Sequence, residues 1–268
     1  MRAAVAFAVG AAAGAIIIRE HRARRAAERF GAAALETLLK AIDANDAQTG
    51  AHVRRVATYA LIIADAAGLD RRACQTVERV ALFHDIGKIH EALFDIIHDE
   101  TTLTAEDRRA IATHPRRGAT VLAPLRGFYP EVADGVLSHH ERWDGTGYPR
   151  GLRGARIPVA ARIVTIADTF DAITHERRYR DARGAQHAAD ALAAERGTQF
   201  DPDLVDLVLL PPVWERLVTA HREAHRRTVS RPERRAGRRE RPVPQVKFRW
   251  RREAPESPPQ PRSSQRHP

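Results

Sequence analysis

Residues 139–149 read His139-His140-Glu141-Arg142-Trp143-Asp144-Gly145-Thr146-Gly147-Tyr148-Pro149. Adjacent histidines put two neutral nitrogen ligands at one end of an element. A glycine-rich loop closed by Tyr-Pro follows at once. A second unit lies upstream, His84-Asp85-Ile86-Gly87-Lys88. In this order the two units supply the histidines, aspartate and lysine that a metal-activated hydrolase of phosphate esters needs.

Around both units the apolar spacing is helical. Leu35, Leu38, Leu39 and Ile42 recur at intervals of three and four, as do Val53, Val56, Ala60 and Ile63. Val77, Val80 and Ala81 lead into Phe83 and the His84-Asp85 pair. Thr104 with Asp107 reads as a capping box. His114-Pro115 marks an element boundary, because a residue before proline is pushed out of the helical region. Pro158 opens a helix with Val159, Ala160, Ile163, Ile166 and Ala167 on its apolar face, and that helix carries Asp168. Asp201-Pro202 reads as an N-cap followed by proline at the first helical position. No run of alternating strand residues and no internal repeat is present. The expected fold is all-α, a helical bundle over residues 31–221.

The chain has 268 residues, 43% of them hydrophobic, enough to bury one sizeable core. The net charge of +10 is unevenly spread. Residues 222–268 hold 15 Arg or Lys against 5 Glu, and the remainder of the chain is balanced. The basic character therefore belongs to an appendage, and no specific nucleic-acid partner is expected for the folded part. That appendage is rich in Arg and Pro and poor in aliphatic residues, so it is expected to be disordered. Phe248 and Trp250 among its arginines leave open an attraction to anionic lipid or nucleic acid. A single cysteine, Cys74, rules out an internal disulfide framework, fits a reducing cytoplasm and leaves metal binding to His and carboxylate ligands.

Residues 3–18 are apolar and uncharged, with Arg2 before them and Arg19, Arg22, Arg24 and Arg25 after. As a helix they span roughly 24 Å, short of a bilayer core of about 30 Å. A weak anchor contacting the inner membrane, with residues 1–30 as one hydrophobic helix and the catalytic part facing the cytoplasm, is the leading reading. A cleaved signal peptide and a soluble alanine-rich helix stay open. Gly10 and Gly14 form a small-xxx-small pair that would suit a homodimer.

In chain order the candidate metal ligands are His52, His84, Asp85, His114, His139, His140 and Asp168. Helix bundles build metal sites from facing side chains of this kind. Imidazole and carboxylate without sulfur suit two divalent ions of iron or manganese, with zinc also fitting. A bridging Asp with three ligands on either side would hold the ions roughly 3.5–4 Å apart and turn a water between them into an in-line nucleophile on phosphorus. Asp171, three residues after Asp168 on one helical face, is expected behind a ligand or against substrate. Glu141 and Asp144 are read either as partners that orient imidazoles or as loop caps. His90, His98, His175 and His187 fit no metal position and are read as surface residues.

The chain resembles the HD-GYP subgroup of the HD phosphohydrolase superfamily. The matching stretches are DAQTGAHVRRV at 46–56, HDIGK at 84–88, HP with a later glycine at 114–118, HHERWDGTGYP at 139–149, RIVTIADTFDAIT at 162–174 and GTQFDP at 197–202. The resemblance implies a metal-dependent phosphodiesterase that opens cyclic di-GMP to pGpG and on to GMP. It implies that His52, His84, Asp85 and Asp168 hold one ion. His114, His139 and His140 would hold the second, with Asp85 bridging. Lys88 would contact the scissile phosphate. Gly147, Tyr148 and Pro149 would shape the substrate loop, and Arg180 would be a second phosphate contact.

Three departures accompany the resemblance. Gln48 stands where glutamate accompanies a third metal, so two ions are expected. The stretch HEALFDIIHDETTL replaces a proline-rich segment, and HERRYR lacks the proline usual before Tyr-Arg. These keep two alternatives open: a cyclic-dinucleotide sensor with little turnover, and an HD hydrolase for another nucleotide.

Overall fold

Asp46 ends one helix and starts the next. Its backbone is extended, and its carboxylate accepts from the backbone N–H of Gln48 and Thr49. It separates α1 (Arg2–Asn45) from α2 (Ala47–Ala66). The computed structural model describes residues 2–89, 104–175 and 184–229. After α2 come α3 (Arg71–Phe83), a 3-10 turn at Ile86–Ile89, α4 (Ala105–Ile111), α5 (His114–Leu122) and α6 (Pro130–Ser138). Then follow α7 (Val159–Thr174), α8 (Ala185–Ala194), α9 (Pro202–Leu209) and α10 (Pro211–Val229). Among the described residues no strand forms, and the bridge between Arg196 and Phe200 is isolated. The all-α expectation is borne out.

The caps read from sequence form as expected. The Thr104 hydroxyl accepts from Asp107 N–H while the Asp107 carboxylate accepts from Thr104 N–H, closing the capping box of α4. Asp201 accepts from Asp203 N–H, with Pro202 in the first turn of α9. The boundary at His114-Pro115 is also real, with His114 itself the first residue of α5.

The core is aliphatic and centred on α7. Ile163, Val164, Ile166 and Ala167 are fully buried, and Phe170 nearly so. They pack with Val56, Ala60 and Ile63 of α2 and with Val77, Val80 and Ala81 of α3. α5 packs on α6 and on the 86–89 turn. That last contact needs Gly87: a Cβ there would lie 2.1 Å from the His114 carbonyl oxygen. The backbone carrying Asp85 can therefore approach the backbone carrying His114.

Two expected boundaries move. α1 runs unbroken through residue 30, so the apolar start and the bundle share one helix. Gly31 does not break it, because its bare face sits against Phe128 and Tyr129, where a Cβ would come within 3.3 Å. Helix α10 continues to Val229, past the end expected at 221, and Val213, Trp214 and Leu217 dock its first turns on the core. Residues 1–229 form one compact unit. Among the described residues no helix is long and apolar enough to cross a membrane, so the anchor expected over 3–18 gains no support. The expected disordered tail beyond Val229 and the altered segment at 90–103 lie outside the described residues.

Candidate metal centre

Three of the histidines are placed by one local device. A helix leaves its last carbonyls without intrahelical donors. His84 follows α3, and its Nδ1 lies 2.8 Å from Ala81 O. His139 follows α6, with Nδ1 2.7 Å from Val136 O. His114 follows α4, with Nδ1 2.7 Å from Ile111 O. A carbonyl only accepts, so each Nδ1 carries the proton. Each Nε2 is thereby turned away from the carbonyl, the orientation that second-sphere partners impose on metal-binding imidazoles.

His52 lies inside α2, where the preceding carbonyls are already used. Its Nδ1 meets the Asp171 carboxylate at 2.6 Å, and Arg55 clamps the same carboxylate through Nε at 2.7 Å and Nη2 at 2.9 Å. Asp171 is fully buried behind His52, the first of the two places expected for it. His140 is held differently again, with its ring stacked on Tyr148 at 4.9 Å between centroids.

The freed nitrogens converge on Asp85, which is only 7% exposed. Its Oδ2 lies 3.5 Å from His84 Nε2 and 4.0 Å from His52 Nε2, while its Oδ1 lies 3.4 Å from His114 Nε2. Asp168 Oδ1 is 3.3 Å from His52 Nε2. Two donor groups result, His52 with His84 and Asp85, and His114 with His139 and His140. The two oxygens of Asp85 face one group each.

The unmet polarity of this cluster fits cations. His84 Nε2 and Asp85 Oδ1 are buried without a hydrogen-bond partner. His114 Nε2 and His139 Nε2 stand 3.1 Å apart. Both rings have given their Nδ1 protons to carbonyls, so two lone pairs face each other. Burial pushes His114 down to about 3 and His140 down to about 4, and it holds His139 well below its usual range. These three imidazoles are therefore neutral at pH 7. Burial opposes the charge on Asp85, but the Lys88 ammonium beside it, the strongest opposing influence, holds the carboxyl well below its usual range. For His52, burial is likewise outweighed by the Asp168 and Asp171 carboxylates, which raise it to about 9 in the metal-free protein.

Lys88 Nζ sits 2.7 Å from Asp85 Oδ2, at the partly open edge of the cluster. The loop carrying Gly147, Tyr148 and Pro149 closes the other side. Glu141, buried at its base, accepts from Arg150 N–H at 2.7 Å and Leu152 N–H at 2.9 Å. Asp144 accepts from Thr146 N–H and its hydroxyl. Both carboxylates therefore brace the loop, and neither orients an imidazole. The turn at 197–200 backs the loop, with Trp143 N–H donating to Gln199 O and Asp144 N–H to Thr198 O. Arg116 reaches Pro149 O at 2.8 Å. Gly147 is required by close approach, since a Cβ would lie 2.2 Å from Arg142 N.

Sequence reasoning missed Arg55, whose only signal is its place one helical turn after His52. It also misread His175, which lies 3.2 Å from Asp171 Oδ1 and is largely buried. Arg180 falls outside the described residues.

The fold and site define an all-helical bundle carrying two adjacent donor groups, one of three histidines and one of two histidines and an aspartate, that could hold metal ions. A family model described as an HD domain matches residues 36–204, and the chain belongs to that family. The family read from the motifs is thereby borne out. The chain is 36% identical over 174 residues to 3'3'-cGAMP-specific phosphodiesterase 2 of Vibrio cholerae, covering 64% of this chain and 33% of the relative. It is 38% identical over 177 residues to the cyclic di-GMP phosphodiesterase response regulator RpfG of Xanthomonas campestris, covering 65% and 46%. It thus spans about a third to a half of the length of these relatives. Among solved structures, the HD domain of Listeria monocytogenes phosphodiesterase PgpH in complex with cyclic-di-AMP shares the fold. Its TM-score is 0.51 at 21% identity, covering 68% of this chain and 94% of that one.

Proposed function

We propose that this chain is a metal-dependent phosphodiesterase that hydrolyses cyclic di-GMP to pGpG and onward to GMP. The observation that carries the reading is the pair of facing Nε2 lone pairs on His114 and His139 beside the unpartnered Asp85 oxygen, an arrangement that bound cations would relieve. His52, His84, Asp85 and Asp168 would hold one ion, and His114, His139, His140 and Asp85 the other. Iron or manganese suits this donor set, with zinc also fitting. Bound there, the ions supply charge against phosphoryl oxygens and make water more acidic.

The chain's own residues do the rest. The Lys88 ammonium, at the open edge, offsets the charge of the scissile phosphate. The loop at 145–149, braced by Glu141 and by the 197–200 turn, holds the substrate in register. Tyr148, 36% exposed with one face on His140, offers an aromatic surface for a nucleobase. Domain organisation follows the same reading: residues 31–229 carry the hydrolase and residues 230–268 form a basic appendage.

A second substrate reading has a specific motive. One relative at 36% identity is named for 3'3'-cGAMP, so the mixed dinucleotide belongs in the test. The full chain, loaded anaerobically with Fe(II) or Mn(II), is given cyclic di-GMP and 3'3'-cGAMP separately beside an Asp85→Ala control. Metal-dependent pGpG or GMP, absent in the control, is expected. Turnover of 3'3'-cGAMP alone would transfer the assignment to that substrate. Tight binding without product at full metal occupancy would make the chain a sensor.

A further inference from the structure

Behind His52, three more side chains run in series towards α10. His52 Nδ1 meets Asp171 Oδ2 at 2.6 Å. Asp171 Oδ1 lies 3.2 Å from His175 Nδ1. The His175 ring meets the His221 ring edge to face, with centroids 4.5 Å apart. His221 stands on α10, outside the residues matched by the family model. Its neighbours on the same face of α10, Trp214 and Leu217, dock on the core, and both Trp214 and His221 pack against Phe170, the residue before Asp171.

The protons along this series can be placed. An ionised Asp171 only accepts, so His175 Nδ1 donates to it, and His175 Nε2 lies on the far side of the ring. That Nε2, His221 Nδ1 and Tyr59 Oη are all buried without a hydrogen-bond partner. The outer end of His175 is therefore held by ring packing, and the described ring that packs on it is His221. Arg55 also grips Asp171, but Arg55 and His52 both stand on α2. Their grip joins α2 to Asp171, which stands on α7. The His175–His221 contact adds α10 to that series.

We propose that His175 and His221 are positioning residues for the metal ligand His52, so that α10 sets how firmly the ion at the His52, His84 and Asp85 group is held. The inference rests on the metal-centre reading above. Loss of a second-sphere partner typically weakens a metal site about 10- to 100-fold. One step further out, about three- to tenfold is expected.

The test uses the full metal-free chain titrated with Mn(II) by calorimetry and by electron paramagnetic resonance, with melting temperatures recorded. His175→Ala and His221→Ala should each weaken one of the two ions about three- to tenfold, leave the other unchanged and keep the melting temperature within a few degrees. His175→Asn, which keeps a donor near the Nδ1 position, should restore affinity. Unchanged affinity for both ions in both alanine variants overturns the inference alone. Equal weakening of both ions with a lowered melting temperature also overturns it, in favour of a merely structural role. Wild-type protein that takes up no Mn(II) overturns the metal-centre reading and this inference with it.

Discussion

At the scale of the residue, protonation is set by which atom each imidazole spends on the protein. His84, His114 and His139 spend Nδ1 on a carbonyl, which turns each Nε2 to the centre, and burial keeps His114 and His139 neutral before any ion arrives. His52 spends Nδ1 on a carboxylate and, raised to about 9, holds an extra proton at pH 7 in the metal-free protein. A raised pKa stabilises the fold fully below the unfolded value of about 6.5, and that contribution fades as pH climbs through 9. His114 and His140, lowered to about 3 and 4, act with the opposite sign. Their contribution is intact above 6.5 and is lost as pH falls, because the unfolded chain then takes up protons the folded one refuses. The contributions of these groups to metal-free stability should therefore peak near pH 6.5. Metal uptake at pH 7 should release about one proton, from His52. Calorimetry in buffers of different ionisation enthalpy reads this directly, and a proton count of zero would contradict it. Asp171→Asn removes the charge behind His52. It should weaken Mn(II) at that group about tenfold or more, and unchanged affinity by titration would contradict the orienting role.

At the scale of the element, the site is built from ends. α3, α4 and α6 each stop where a histidine can answer a terminal carbonyl, and the loop at 145–149 is laid over the resulting cluster. Its glycine at 147 is fixed by contact with the backbone of residues 140–142, which cannot yield. Gly147→Ala should therefore push the loop outward while leaving both donor groups intact. Metal content should stay at the wild-type level. Turnover of cyclic di-GMP should fall about a hundredfold, the scale of a 1 Å misplacement. Steady-state kinetics beside metal analysis checks this, and loss of metal would show that the loop also shapes the donor groups.

At the scale of the whole molecule, α10 covers Phe170 and the polar series behind His52. Val213 and Leu217 are buried beneath it, and Arg216 pairs with Asp65 of α2 at 2.7 Å. A chain ending at Val229 should keep the wild-type melting temperature and metal content. A chain ending at Leu210 should lose several degrees at least, because burying a single large aliphatic side chain such as Leu217 is worth about 2–5 kcal/mol. Thermal unfolding of the two truncations separates these outcomes; equal melting temperatures would show that α10 adds nothing to the core.

Much of this was legible in sequence because it is local. The caps at Thr104 and Asp201 need partners two or three residues away. The helical period alone places Val56, Ile63, Val80 and Ile166 in the core. The pairing of His84 with Asp85 and of His139 with His140, next to a glycine-rich loop, declares metal chemistry by residue type and spacing. The rest depends on groups far apart in the chain. His52 and Asp171 are 119 residues apart, and nothing near either one says that their side chains meet. Glu141 looks like an imidazole partner until the backbone of residues 150 and 152 folds back onto it. His175 looks exposed until α10 brings His221 against it. The sequence by itself determined the helical class and the set of side chains that could bind metal, because those follow from periodicity and donor chemistry. Only the tertiary structure decided which atom of each imidazole faces the centre, because that is settled by whichever acceptor packing delivers to the other nitrogen.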